Sequence, residues 1–418
     1  MELGSIERLK LVREYGEDIT EYVAILMGQL HELVVCLSNS WGGLEQVAFK
    51  DACDIAALGL DVTFMCLEGS PVHDRLLSQA SHPCPVKVFA IDYKPRDYFD
   101  FHLRKDLRAL VDVTAVAPVN LVHTHQTSLL GTLAPWLWNQ RQVALIASRH
   151  ILNNHDKRNF FHHALYSRLD NLVVMSQTLK ANVLATHPLR DRQVKVINLG
   201  LDFERFDPEK VDARAQRLKW GADENTVVIG IVGRIDPAKG QGTFLKAAAG
   251  LLNRSNEGEK FKFVLVGEET RGGDTSHLEE LQAMIKLFHI ENEVVFSGFQ
   301  DNIPEVMAAF DIFVMPSRQE AFGLVAIEAM AMETPLVISR GGSASEIVGN
   351  EEYGLLMRSD DAFDLQRQLR WFLDHPEERR EMGKKASKYV RENYDRKTRL
   401  LRTLSLYERS LRRRRLLE

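Results

Sequence analysis

Residues 312–330 read IFVMPSRQEAFGLVAIEAM. Ile312–Met315 is a short continuous apolar run, which suits a strand covered on both faces. Pro316 and the polar residues after it end the run, and Gly323 opens a helix that continues through Met330. Strand, loop and helix in that order form the repeating unit of a parallel sheet, and such sheets hold ligands beyond the carboxyl ends of their strands. Two carboxylates belong to the stretch, Glu320 in the loop and Glu328 on the second helical turn. The helix start at Gly323, Leu324 and Val325 offers free backbone N–H groups and a positive dipole end, which suit a phosphate. The carboxylates can each accept hydrogen bonds from hydroxyls at opposite ends of one ligand. In the structural alternative Glu320 caps the helix and Glu328 lies on the surface. Against it, Glu328 stands among Ala326, Ile327, Ala329 and Met330, in a helix that asks for burial, so its carboxylate needs a partner.

Outward from this segment the same alternation recurs. Upstream, strand-like runs fall at Val34–Leu37, Val62–Leu67, Val86–Ala90, Leu121–His123, Val143–Ala147, Leu172–Met175 and Val194–Asn198, separated by helical stretches such as Leu44–Leu58, which Gly59 stops. A polar stretch, Glu204 to Asn225, reads as a boundary. A second series follows at Val227–Val232, Phe263–Val266, Val294–Phe296, Ile312–Met315, Leu336–Ile338 and Leu355–Met357. The expected architecture is α/β, with two doubly wound, Rossmann-like parallel-sheet domains over residues 27–205 and 206–390 that face each other across a cleft. Residues 1–26 are expected to be an appendage outside the core. Residues 391–418 are expected to form a basic helix packing back towards the N-terminal domain, with Leu400, Leu404, Tyr407 and Leu411 as one apolar stripe.

Composition narrows the function classes. The chain has 418 residues, 45% apolar and 27% charged, with a net charge of −5, so it can bury a core and lacks a chain-wide field for nucleic acid. Fifteen basic and four acidic residues lie between Arg379 and Arg415, so any attraction to an anionic surface should reside at the C-terminus. Cys36, Cys53, Cys66 and Cys84 form no close pair and are expected to be buried, reduced thiols of a cytosolic protein. No apolar run approaches the ~18 residues of a membrane span, and the N-terminus is too charged for a secretory signal; the expectation is a soluble, cytoplasmic protein.

A second constellation lies at the end of the second series' first strand: Gly230-Ile-Val-Gly-Arg-Ile-Asp-Pro-Ala-Lys-Gly-Gln-Gly242. Arg234 and Lys239 flank a tight turn at Pro237, and two cations at a strand end can neutralise a diphosphate leaving group. The glycine spacing is neither that of the dinucleotide fingerprint nor that of a Walker loop.

With both constellations in view, residues from about 30 to about 395 resemble the retaining glycosyltransferases of family 4, which have the two-domain GT-B fold. The resemblance rests on Glu320-Ala-Phe-Gly-Leu-Val-Ala-Ile-Glu328, on Gly233-Arg234 with Lys239-Gly240, and on Gly42-Gly43-Leu-Glu45. It implies that Glu320 contacts a donor sugar, that Glu328 holds ribose hydroxyls, and that Arg234 and Lys239 bind the diphosphate. Phe322 and the backbone of Gly323, Leu324 and Val325 would complete the donor site. Gly42 and Gly43 follow the first strand, where a missing Cβ lets backbone approach a ligand. Of His123 and His125, which end another strand, His125 is the candidate to face the donor sugar and His123 the packed core residue. Ser148-Arg149-His150 ends the next strand and is a further candidate. Asn198 and Gly200-Leu-Asp202 depart from the family's turn because Leu199 intervenes, and are read as structural.

The reaction implied by the resemblance is transfer of a glycosyl group from a nucleotide-diphosphate sugar with retained anomeric configuration, with no cofactor and no metal. No two aspartates stand two apart, so the Asp-x-Asp metal motif is absent. The acceptor, a glycan or a lipid-linked one, is not specified. Lys157-Arg158-Asn-Phe160-Phe161-His162-His163 and the Arg412–Arg415 tail suggest an anionic membrane surface as partner, the protein being peripheral at its cytoplasmic face. A catalytically silent nucleotide-sugar-binding scaffold, or a GT-B-fold epimerase or phosphorylase, are the alternative readings.

Overall fold

The computed structural model describes residues 11–78, 84–96, 99–113, 118–269, 276–318 and 322–414. The apolar runs become strands that are buried in the middle of each sheet, as parallel strands covered by helices must be, while the edge strands Lys87–Ile91 and Val294–Gly298 stay partly exposed. The chain divides into two units, Met1–Gly200 with Arg396–Glu418, and Leu201–Asp395.

The first unit holds β1 (His31–Val35), β2 (Asp61–Leu67), β3 (Lys87–Ile91), β4 (Leu121–Thr124), β5 (Ala144–Arg149), β6 (Asn171–Val174) and β7 (Val194–Val196). They form one parallel sheet in the order β3-β2-β1-β4-β5-β6-β7. The second holds β8 (Thr226–Val232), β9 (Lys260–Val266), β10 (Val294–Gly298), β11 (Ile312–Met315), β12 (Leu336–Ser339) and β13 (Leu355–Met357), again parallel, in the order β10-β9-β8-β11-β12-β13. Both are doubly wound. The chain moves outward on one side and then returns to the other, leaving a switch point between β1 and β4 and another between β8 and β11. Loops that leave neighbouring strands in opposite directions at such a point open a crevice for a ligand. Leu33, Met65, Val122 and Leu145 lie in the first core, and Ile229, Phe263, Val314 and Leu369 in the second.

The expected appendage needs correction. Glu17–Leu26 is a helix whose Ile19, Val23 and Leu26 are buried. It packs along the helix Arg396–Arg413 within the first unit, where Tyr22 donates a 3.0 Å hydrogen bond to Ser405. Its apolar residues recur at intervals of four and three, so one face must be covered. The helix Arg396–Arg413 buries Leu400, Leu404, Tyr407 and Leu411, and Arg399 reaches Asp51 at 2.5 Å. Gly200 lies against this helix, where a Cβ would fall 2.8 Å from the Arg396 Cα.

The cysteine reading is also corrected. Cys36 and Cys66 are buried and free, but Cys53 and Cys84 form a disulfide. Packing brings together two segments 31 residues apart, which no local spacing announces. The pairing withdraws the compositional argument for a reducing compartment. Among the described residues no helix is long and apolar enough to cross a membrane.

Leu26 is fully buried, so Leu26→Ala should cost about 2–5 kcal/mol. The urea-unfolding midpoint of the first unit is expected to fall; an unchanged midpoint would restore the appendage reading.

Candidate functional site

The second unit builds its site at the β8/β11 switch point. Beyond β8, Gly233 donates its N–H to Val266 and Ile235 donates to Glu268, so the segment still follows the neighbouring strand. Asp236 then caps a short turn, Pro237–Lys239, by accepting from the Ala238 N–H at 2.9 Å. Pro at the first position of the turn has φ already set, and Gly240 ends it at φ 78°. A Cβ on Gly240 would collide with the Pro316 carbonyl oxygen, so only glycine lets the two loops meet this closely. The Arg318 N–H donates to the Ala238 carbonyl at 2.9 Å. That bond ties the loop carrying Arg234 and Lys239 to the loop that leads into the helix Leu324–Ala331.

Arg234 is exposed and lies 3.6 Å from Asp236, while the Gln241 amide donates to the Arg234 carbonyl at 2.6 Å. Gly323 caps the helix at φ 87°, a conformation that costs other residues more, and Leu324 and Val325 form its first turn. Glu328 is buried on the same helix, as the sequence argument required. Glu320 lies outside the described residues. Phe322 needs correction as a donor-site side chain: its ring is buried and meets Tyr394 at a centroid distance of 5.5 Å. An aromatic ring in a glycine-flanked loop finds its free energy in the core, and here it anchors the loop.

The first unit repeats the plan at β1/β4. The loop after β1 ends at Gly42, whose N–H donates to Glu45 at 2.8 Å, and the helix Gly43–Ala57 begins there. Ser38 donates to the other Glu45 oxygen at 2.5 Å. Gln126, just after β4, clamps the two loops: its carbonyl accepts from the Leu37 N–H at 2.6 Å and its amide donates to the Leu37 carbonyl at 3.1 Å. Between Gln126 and β4 sits His125, fully buried, with Nδ1 3.3 Å from His150 Nε2 and its own Nε2 without a hydrogen-bond partner. Burial, reinforced by His123 and His150, holds the His125 ring well below its ordinary value, so it is neutral at pH 7. His123 lies beside it, its ring centroid 4.5 Å from that of His125, and enters a polar chain. Its Nδ1 lies 2.6 Å from the Tyr407 hydroxyl, which donates to Glu32 at 2.5 Å, and its Nε2 lies 2.8 Å from Ser148. Arg149 is buried and donates to Thr127.

Within each unit the structure therefore brings the expected residues to one strand-end edge: Gly42, Gly43 and His125 in the first, Arg234, Lys239, Gly323, Leu324 and Val325 in the second. Gln126 and Gln241, which hold these loops, escape sequence reasoning because a lone glutamine carries no pattern. Two of the tail arginines are engaged inside the first unit. Arg412 bonds to Glu408, and Arg414 pairs with Asp170 at 2.9 Å and donates to the Arg141 carbonyl. Arg415 lies outside the described residues.

Comparison with known proteins accounts for both units. The family model for Glycosyltransferase Family 4 matches residues 41–205, and that for Glycosyl transferases group 1 matches residues 212–389. This chain belongs to the family 4 glycosyltransferases. Among curated relatives, the D-inositol 3-phosphate glycosyltransferase 2 of Catenulispora acidiphila is 31% identical over 53% of this chain, a match that spans about half of the relative (52%). The D-inositol 3-phosphate glycosyltransferase of Corynebacterium glutamicum is 24% identical over 84% of this chain and 88% of its own. Among solved structures, Anabaena HepE in complex with UDP and glucose aligns over 91% of this chain and 98% of its own, with a TM-score of 0.74 and 22% identity. The likeness shows the GT-B fold, and the two sheets described above are its two Rossmann-like halves.

Buried histidines of the glycosyltransferase's first unit, with His150 held by burial at about 3 among them, set an acid limit to its stability. His187, buried behind Tyr166, is held at about 3, chiefly by burial and then by Arg149 and Lys157; His125 is depressed in the same way. These rings are neutral when folded and take up a proton when unfolded below about 6.5. Stability should be flat above that pH and fall below it by about 1 kcal/mol per pH unit for each ring, down to the folded value. Urea midpoints at pH 7.5 and 5.0 measure the slope. His187→Asn should make it shallower by that ring's share, the other rings still contributing, and an unchanged slope in that variant would contradict the assignment.

Proposed function

We propose that this chain transfers a glycosyl group from a nucleotide-diphosphate sugar to an acceptor hydroxyl with retention of anomeric configuration, without a metal ion. The observation that carries the proposal is the contact of the Arg234–Lys239 loop with the segment after β11, made by the Arg318–Ala238 hydrogen bond and the approach of Gly240 to Pro316, at the switch point whose next helix is Leu324–Ala331. Two cations and a helix N-terminus at one switch point suit a diphosphate. HepE, of the same fold, was solved with UDP and glucose, which supports a nucleoside diphosphate as the bound species.

In this reading Arg234 and Lys239 bind the diphosphate and stabilise the charge that develops as the bond from the anomeric carbon to the phosphate oxygen breaks. The backbone N–H groups of Gly323, Leu324 and Val325 assist them, Glu328 accepts from the ribose hydroxyls, and Glu320 contacts the donor sugar. The new bond forms from the acceptor oxygen to the same face of the anomeric carbon, and the acceptor proton passes to the departing phosphate. No protein nucleophile is needed. In the first unit, Gly42, Gly43 and the buried Nε2 of His125 are the candidate ligand-facing groups. The acceptor is a glycan or a lipid-linked glycan.

Arg234→Ala and Lys239→Ala should each lower kcat about 100-fold or more while leaving the fold intact. Product anomers followed by proton NMR should show retention, and EDTA should leave the rate unchanged. Full activity in both variants, an inverted product, or loss of activity in EDTA restored by a divalent cation would overturn the corresponding part of the proposal.

A further inference from the structure

The segment Lys157–His163 finds no place in the donor site. It lies on the loop and helix that follow β5, beside His150, which is stacked on His125 at a centroid distance of 5.4 Å. Phe160 is 90% exposed and Phe161 40%. Phe161 meets a second exposed aromatic, Phe99, at 6.2 Å, and Phe99 belongs to the loop after β3. Phe99 is 49% exposed and has φ 53°, a conformation that costs a bulky side chain. Two residues on, Phe101 is 75% exposed at the start of the helix Phe101–Val113. Nothing in the core of the first unit requires these rings to face outward. The same helix satisfies the core with Leu103, Leu107 and Leu110, all buried. Its opposite face carries Phe101, Lys105 and Arg108 at intervals of four and three, all exposed.

Exposed phenylalanines on two segments that meet at Phe99 and Phe161, with exposed cations on the same segments, mark an interaction surface. Aromatic rings and cations on the solvent face of a helix that buries leucine on the other suit a lipid interface, where rings enter the headgroup boundary and ammonium and guanidinium groups meet anionic lipid. Exposed Arg96 and Arg158 add to the positive rim, although Arg158 is paired with Asp156 at 2.9 Å. The tail offers less, since Arg412 and Arg414 already have partners inside the fold.

We infer that the Phe99–Phe101 and Phe160–Phe161 patch of the first unit seats the protein on an anionic bilayer. The docking stands on this geometry alone. Its corollary, that the acceptor is carried in that bilayer, rests on the glycosyl-transfer reading. The patch and His150 share the loop after β5, so a docked protein would hold that strand-end edge near the headgroups.

Co-sedimentation with vesicles of phosphatidylcholine alone, and with 30% phosphatidylglycerol, tests the inference. The wild-type chain should pellet with the anionic vesicles at low salt and be released as salt rises. The double variant Phe101→Ser, Phe160→Ser should bind about tenfold more weakly or worse, and Lys105→Glu, Arg108→Glu should lose the dependence on phosphatidylglycerol. All four positions are exposed, so melting temperatures should match the wild type. Arg412→Ala, Arg413→Ala should still bind. Failure of the wild type to bind, full binding by the phenylalanine variant, or loss of binding in the tail variant would each overturn the inference. So would light scattering that shows a dimer dissolved by the phenylalanine changes, because a second copy would then cover the patch. Stabilisation by UDP, measured on the same variants, is independent of the patch: its absence in all of them, with vesicle binding intact, would count against the glycosyl-transfer reading and not against docking.

Discussion

Two loops of the second unit can share one ligand because their backbones touch. Gly240 lies so close to the Pro316 carbonyl that no side chain fits between them, and the Arg318 N–H closes the contact on Ala238. The cations of one loop and the helix start of the other are thereby fixed relative to each other by main chain, which is stiffer than any pairing of long side chains. Parallel-sheet topology supplies the rest, since β8 and β11 are neighbours whose following loops diverge. The anchor of Phe322 on Tyr394 holds the far end of the second loop in the core.

The first unit meets a different problem. Its central strand β1 begins with His31 and Glu32, both buried, where a parallel sheet calls for apolar residues. Glu32 is accommodated because Tyr407, from the C-terminal helix, donates to it and also meets His123. A buried carboxylate without such a donor would be costly, so the helix Arg396–Arg413 completes the core of the first unit and does more than decorate it. Arg399 and Asp51 form a second buried link between that helix and the first unit.

The pattern of legibility follows from these facts. Strand positions could be read throughout, because parallel strands buried on both faces are continuous apolar runs; Ile312–Met315 and Leu355–Met357 begin and end where the sequence places them. β1 was displaced, since its first residues are polar and their partners lie 375 residues away in the case of Tyr407. The Gly-Arg and Phe-Gly segments were visible because cations, glycines and a helix start at strand ends carry a local physical meaning. The Phe322 ring was misplaced for the same reason: its position in the motif says nothing of which way it turns. The Cys53–Cys84 bond and the covered helix Glu17–Leu26 depend on tertiary packing that leaves no local trace. The exposed rings at Phe99 and Phe161 likewise come together only through the two loops that carry them.

What matters most is whether a diphosphate occupies the point on which the β8 and β11 loops converge. A crystal structure of the chain soaked with UDP addresses it directly. The account predicts density for the two phosphates within hydrogen-bonding reach of the Arg234 guanidinium, the Lys239 ammonium and the N–H groups of Leu324 and Val325. Phosphate density elsewhere on the second unit, with those groups left in contact with water, would contradict it.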